Sequence, residues 1–216
     1  MTKTAHKENK GESMKKIMIT IGCLLLMTPA LFAVNGGLGI RLGYGQNDPK
    51  FENQNLNTHG EVGGVELLEE WDLSDGTSKI GAKLGFDIYG KNKYSQPGLE
   101  AIDNTFAVPL SVYYKKSNEN WSWFAGGGFT WIKTTVKGST GWGSESFSKS
   151  KIFPHLTVGT EYQFGESCAL GLDLRYNIAA KISLKEYGYT YVSDRSGFNA
   201  AITARYYFPM DTASWM

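Results

Sequence analysis

The chain has 216 residues, and its 22 lysines and arginines against 21 aspartates and glutamates leave a net charge of only +1. That balance excludes a basic nucleic-acid binder and a polybasic membrane-surface anchor. Two cysteines exclude a disulfide-stapled fold and a zinc site built from thiolates. A mildly polar mean hydropathy argues against a bundle of membrane helices but leaves a membrane barrel open, because half of each barrel strand faces inward.

The first element is a leader. From Met14 the sequence reads MKKIMITIGCLLLMTPALFAVNGG: two lysines, an apolar stretch from Ile17 to Met27, then small residues to Ala33. This is the layout of a secretory signal peptide, too short and wrongly flanked for a spanning helix. Cleavage after Ala33 or after Ala30 fits, and Met14 competes with Met1 as initiator. A lipoprotein site at Cys23 is disfavoured, because Thr20-Ile21-Gly22 fits poorly before it and the apolar run continues beyond it. Residues 1–33 are thus read as extension and signal peptide, and residues 34–216 as one exported domain. Removing the leader's five lysines and two glutamates leaves 17 basic and 19 acidic residues, a net charge of −2, with Cys168 as the one cysteine.

Eight alternating segments follow, and no segment carries a convincing helical period. They are LGIRLGYGQ (38–46), GEVGGVELLEEWDL (60–73), KIGAKLGFDIYG (79–90), the two halves of VPLSVYYKKSNENWSWFAGGGFTW (108–131), IFPHLTVGTEYQF (152–164), ALGLDLRYNIAAKISL (169–184) and FNAAITARYYF (198–208). Three joints are tight (SDGTS, KSNEN, GES). Four others are long and polar: NDPKFENQNLNTH, KNKYSQPGLEAIDN, KGSTGWGSESFSKS and KEYGYTYVSDRS. Strands of roughly 9–11 residues with long loops at one end and tight turns at the other are the rhythm of an outer-membrane barrel. The predicted fold is therefore all-β, an eight-stranded antiparallel up-and-down transmembrane barrel.

Alternation does not say which face is inside; ring count does. The apolar face carries fifteen aromatic residues. Trp71, Tyr114, Trp121, Trp123, Tyr162, Phe164, Tyr206 and Phe208 gather near the short turns, and Tyr44, Phe106, Trp131 and Phe198 near the long loops, with Phe86, Phe129 and Tyr176 besides. An eight-stranded lumen is just filled by its own side chains and cannot take fifteen rings. A secreted soluble barrel of lipocalin type is the disfavoured alternative on that ground. The rings are expected as two girdles at the lipid interfaces around an aliphatic band.

The opposite face then lines the lumen. It holds many glycines and ten charges: Arg41, Glu66, Glu70, Lys83, Asp87, Glu161, Asp173, Arg175, Lys181 and Arg205. Unpaired buried charges are costly, so these are expected to form a ladder of salt bridges, with Arg41 and Arg205 near Glu66 and Asp173. A filled lumen is favoured over an ion pathway. Glu69 falls on the lipid face, where LLEE suggests a register change or bulge. Pro109, unable to donate a ladder bond, suggests a bulge or local irregularity.

The stretch TFAVPLSVYYK, a short turn, and WFAGGGFTW resemble the central hairpin of small eight-stranded outer-membrane barrels, the OmpA-like and opacity-porin class. The resemblance spans nearly all of residues 34–208. It implies a Gram-negative-type outer membrane, loops at the cell surface, and adhesion, envelope integrity or limited permeability as roles. It also implies outer-membrane lipids and lipopolysaccharide, the barrel-assembly machinery and an extracellular loop ligand as partners. No peptidoglycan-binding domain is expected after Phe208, and Phe208 and Trp215 compete as the aromatic assembly signal.

Chemistry is the weaker reading. His155, Thr157 and Glu161 share one strand face, and HLT distantly resembles the histidine-x-serine arrangement of lipid A deacylases with threonine in place of serine. That face is the lumen, where an acyl chain cannot reach. His59 lies far in sequence from a nucleophile, GGGF at 126–129 sits inside a strand rather than before a helix, and no metal constellation emerges. Acids and tyrosines scattered over the loops fit partner binding and plain solvation equally. The expectation is a non-catalytic protein without cofactor, serving a structural or surface-interaction role. A narrow diffusion channel is the alternative, followed by a lipid-modifying enzyme.

Overall fold

A computed structural model describes residues 35–51, 54–55, 60–96, 99–140, 143–186 and 189–208. The leader with Cys23, and also His59, Trp142 and Trp215, lie outside the described residues.

The described residues form thirteen strands: β1 (Asn35–Gly45), β2 (Asp48–Phe51), β3 (Gln54–Asn55), β4 (Glu61–Asp72), β5 (Ser78–Tyr89), β6 (Lys93–Gln96), β7 (Leu99–Asn118), β8 (Trp121–Thr140), β9 (Gly143–Phe164), β10 (Cys168–Asn177), β11 (Lys181–Glu186), β12 (Tyr189–Asp194) and β13 (Gly197–Phe208). Eight of them close a barrel. The order β5-β4-β1-β13-β10-β9-β8-β7 is completed by the pairing of β5 with β7, and β6 continues from β7 above the closure. All the neighbouring pairs are antiparallel. A second sheet, β11-β12-β2-β3, is built from segments between barrel strands.

Three tight turns join the strands at the other end. Asp75 organises the first, accepting from the Ser78 amide at 2.7 Å and the Thr77 amide at 3.1 Å. Gly76 there has φ +66°, Glu119 in the second turn +54°, and Gly165 in the third +72°. The hydrogen bonds from Ser78, its hydroxyl foremost, hold the Asp75 carboxyl below the ordinary carboxylate range.

The two faces divide as alternation demands. On β13, Phe198, Ala200, Ile202, Tyr206 and Phe208 point out, whereas Asn199, Ala201, Thr203, Arg205 and Tyr207 are buried. Leu42 and Ile202 are 69% and 66% exposed while Arg41 and Arg205 are 2% and 4% exposed, the inverse of a water-soluble protein. Trp121 and Trp123, 58% and 51% exposed, lie on the outer wall. A continuous apolar belt of this kind around a closed sheet marks contact with hydrocarbon. The rings pair along the outer wall: Phe106 with Trp131 at 5.4 Å and Tyr176 with Phe198 at 4.8 Å toward the long loops, Trp121 with Tyr162 at 5.1 Å toward the turns.

The structure departs from expectation in three places. First, the long connections are not plain loops. β7, β8 and β9 extend 20, 20 and 22 residues, so the central hairpin runs from Asn118↔Trp121 up to Leu99↔Thr140. Second, the segment 169–184 is two strands, broken at Ala179 with φ +51°. Third, LLEE holds no bulge: β4 keeps one register with β1 and with β5 throughout, and Glu69 stays in the outward phase opposite Gly36 and Ala82. At Pro109 the expected local irregularity is present: the β5–β7 ladder is interrupted between Leu84↔Leu110 and Asp87↔Ala107 without a shift of register.

Candidate functional site: the charged lumen

Barrel strands deliver the lumen charges because each inward position is flanked by outward apolar ones. Arg205 on β13 is the hub. Its Nε donates to Glu66 Oε1 at 2.7 Å, Nη1 to Glu161 Oε2 at 2.8 Å, and Nη2 to both oxygens of Asp173 at 2.8 Å. One guanidinium thus ties β4, β9 and β10 to β13, its planar donors matched to carboxylates. Lys83 on β5 reaches Asp173 at 2.6 Å and Glu66 at 3.9 Å. The ring of Phe124 lies beneath both cations, 4.8 Å from Lys83 Nζ and 5.3 Å from the Arg205 guanidinium.

Toward the turns, Lys115 pairs with Glu70 at 3.0 Å and with Glu161. The Tyr113 hydroxyl donates to Glu70 at 2.9 Å and the Tyr207 hydroxyl to Glu161 at 3.0 Å. Toward the long loops, Arg175 donates to Asp87 at 2.7 Å and to the Tyr89 hydroxyl at 3.3 Å, with Arg41 at 3.5 Å from Asp87. His155 is buried between two hydroxyls, Nε2 2.8 Å from Ser111 Oγ and Nδ1 2.8 Å from Thr130 Oγ1. Both of its ring nitrogens are taken by those hydroxyls, and Glu161 is committed to Arg205, Lys115 and Tyr207.

Above this ladder Asp103 accepts from the Asn92 amide nitrogen at 3.0 Å and from the Tyr191 hydroxyl, with Arg195 3.7 Å away and stacked 4.3 Å over the Tyr89 ring. Burial and the neighbouring Asp103 carboxylate push the Tyr191 hydroxyl well above the ordinary phenol range. An apolar cluster that includes Tyr89, Ile132, Val136, Phe153, Ile182 and Leu184 joins the upper barrel to the second sheet. The lumen is therefore charge-paired within and capped by apolar packing at its long-loop end.

Nine of the ten expected lumen charges are buried inside: Arg41, Glu66, Glu70, Lys83, Asp87, Glu161, Asp173, Arg175 and Arg205. Lys181 is not. It begins β11 beyond the break at Ala179 and is exposed, because alternation cannot be counted across a kink. Arg41 was expected beside Glu66 and Asp173; it lines the central void with Asp173, while its ion pair is with Asp87 at 3.5 Å. Lys115, Asp103 and Arg195 were missed, as were the inward rings Tyr89, Tyr113, Phe124 and Tyr207. Tyr113 and Tyr207 had a signal: in the pairs Tyr113-Tyr114 and Tyr206-Tyr207, alternation sends one ring each way. The girdle residues Tyr44, Tyr114, Trp121, Trp123, Tyr162, Phe164, Phe198, Tyr206 and Phe208 are exposed on the outer wall, and Trp71, Phe106 and Trp131 are half-buried there.

A void of about 10 Å³ lies among Arg41, Lys83, Ser111, Thr157, Asp173 and Arg175, room for roughly one water. Among the described residues no group of histidines, cysteines and carboxylates is placed to hold a metal ion.

A closed antiparallel barrel with an apolar outer wall and an ion-paired interior defines an integral outer-membrane β-barrel protein. The chain belongs to the outer membrane protein beta-barrel domain family, whose model matches residues 18–210. It is similar in fold to a major outer membrane protein from Thermus thermophilus, with 11% identity, a TM-score of 0.54, and coverage of 82% of this chain and 100% of that one. The outer membrane protein OprG from Pseudomonas aeruginosa is similar at 11% identity and a TM-score of 0.51, covering 82% of this chain and 95% of that one. Ail, the attachment invasion locus protein of Yersinia pestis, solved in complex with the heparin analogue sucrose octasulfate, is 16% identical with a TM-score of 0.46 over 80% of this chain and 99% of that one. No curated protein sequence matches the chain. The protein resides in the outer membrane, which it crosses with strands.

Proposed function

We propose that this is a non-catalytic outer-membrane barrel that works through its surfaces, as a structural or surface-interaction protein in adhesion or envelope integrity, rather than through a pore. The observation that carries the reading is the lumen itself: Arg205, Lys83 and Lys115 engage carboxylates from three facing strands, and the void among the central side chains is about 10 Å³. A conducting path needs a continuous file of water, and an eight-stranded lumen filled with paired side chains leaves none. Outer-membrane lipids and lipopolysaccharide are its partners in the membrane, and the upper sheet is the place for an extracellular ligand. The barrel-assembly machinery inserts it.

Purified protein in planar bilayers is expected to give no steady single-channel steps; reproducible steps would favour the narrow diffusion channel instead. A lipid-modifying role is opposed by the position of His155, buried on the lumen side between Ser111 and Thr130. Mass spectrometry of lipid A from cells with and without the protein is expected to give one acylation pattern. A changed pattern would make it an enzyme.

A further inference from the structure

Two guanidiniums share one carboxylate in the upper half of the lumen. Arg175 Nη2 donates to Asp87 Oδ2 at 2.7 Å and to the Tyr89 hydroxyl at 3.3 Å. Arg41 Nε stands 3.5 Å from Asp87 Oδ1 without forming a hydrogen bond. Arg175 thus spends its Nη2 hydrogens and keeps the N–H bonds of Nε and Nη1. Among the described residues neither of those nitrogens, nor Arg41 Nε, makes a hydrogen bond, although the two arginines are 3% and 2% exposed. Buried donors are nearly always satisfied, by water or an ion where protein atoms do not reach.

The charges are lopsided at the same place. Toward the turns the lumen is balanced: Lys79, Lys83, Lys115 and Arg205 face Glu66, Glu70, Glu161 and Asp173. At the long-loop end Arg195 faces Asp103 at 3.7 Å. Between these groups Arg41 and Arg175 have Asp87 as their one carboxylate among the described residues, so one positive charge is left over. An uncompensated charge inside a wall that meets hydrocarbon is costly.

The same two arginines line the void of about 10 Å³, together with Lys83, Ser111, Thr157 and Asp173. Asp173 does not repel an anion there, because both its oxygens accept from Arg205 and one accepts from Lys83 as well. Unused N–H groups, a surplus cation and a cavity of ionic size therefore coincide.

We propose that this void binds a single monatomic anion, chloride in physiological salt, held by Arg41 and Arg175 as a fixed structural ion. A water brings no charge and accepts from only about two N–H groups. Sulfate and phosphate are too large for a void of about 10 Å³. The ion bridges β1 to β10, while Asp87 ties both to β5.

Two measurements on the full barrel test this. Refolded and crystallised in sodium bromide, it should show an anomalous bromide peak between Arg41 and Arg175. Urea titration of the reconstituted barrel then compares sodium chloride with sodium gluconate at equal ionic strength, so that screening of surface charges is matched. Once the site is near saturation, each tenfold rise in chloride should lower the unfolding constant about tenfold, as for any single ligand of the native state, and gluconate should not. Arg175→Gln should abolish the difference between the salts. Asp87→Asn, which removes the competing carboxylate, should preserve or enlarge it. Side chains that merely support the fold would lower stability in both variants and leave the two salts equivalent. An ordered water without anomalous signal in the void overturns the proposal. So does an equal response of the unaltered protein to the two salts, which decides the matter even if both variants fail to fold.

Discussion

Arg205 shows what one residue decides in this molecule. Three carboxylates from three strands converge on its guanidinium, so deleting it leaves buried anions short of a partner. Arg205→Ala should destabilise the reconstituted barrel by about 3–5 kcal/mol in urea titration, the usual range for removing one side of a buried pair. Arg41→Ala should cost less, since Arg41 meets Asp87 only at 3.5 Å. The double variant should lose stability without gaining conductance. At the first turn, the Asp75 carboxyl lies below its ordinary value of 3.8 because Ser78 hydrogen-bonds the charged form. A group lowered in this way supports the fold above its unfolded value and stops doing so as pH falls through its folded one. A carbon-detected NMR titration should therefore place the Asp75 midpoint below 3.8, and Ser78→Ala should raise it. Most lumen charges were legible because each sits one step from an outward Leu, Val, Ile or aromatic residue. Lys115 was not, because it opens a polar run that reads as turn while the backbone ladder continues to Asn118.

At the scale of elements, glycine and ring are matched across strands. A Cβ on Gly159 would run into the Phe124 ring, and one on Gly81 into the Tyr113 ring. Gly159→Val should cost about 1–3 kcal/mol, read from the same urea titration, since an overpacked lumen has no slack. Strand positions within the membrane were readable because lipid and lumen impose opposite chemistry on alternate residues. Above the membrane that contrast fades. TTVKGST and SESFSKSK face water on at least one side and carry serine, threonine and lysine on both, so their hydrogen-bonded pairing left little imprint on the sequence. β2, β3 and β6 escaped for the same reason. The expected bulge at LLEE failed differently: Glu69 keeps the outward phase in an unbroken register opposite Gly36 and Ala82, and its side chain is buried there.

For the whole molecule, closure by β5–β7 removes every sheet edge within the membrane, which hydrocarbon requires. The interior ladder and the apolar cluster above it fill the lumen with side chains, which supports the role proposed for the outer wall and the upper sheet. Everything depends on which side of the sheet meets lipid. The most direct measurement is a nitroxide scan along β13 in bilayers, with labels at successive positions from Ala200 to Ala204. Labels at Ala200, Ile202 and Ala204 should collide with oxygen dissolved in the hydrocarbon, and those at Ala201 and Thr203 should be immobile and shielded. Collision of the even-numbered labels with a water-soluble nickel chelate, or a mobile label at Thr203 open to it, would contradict the account.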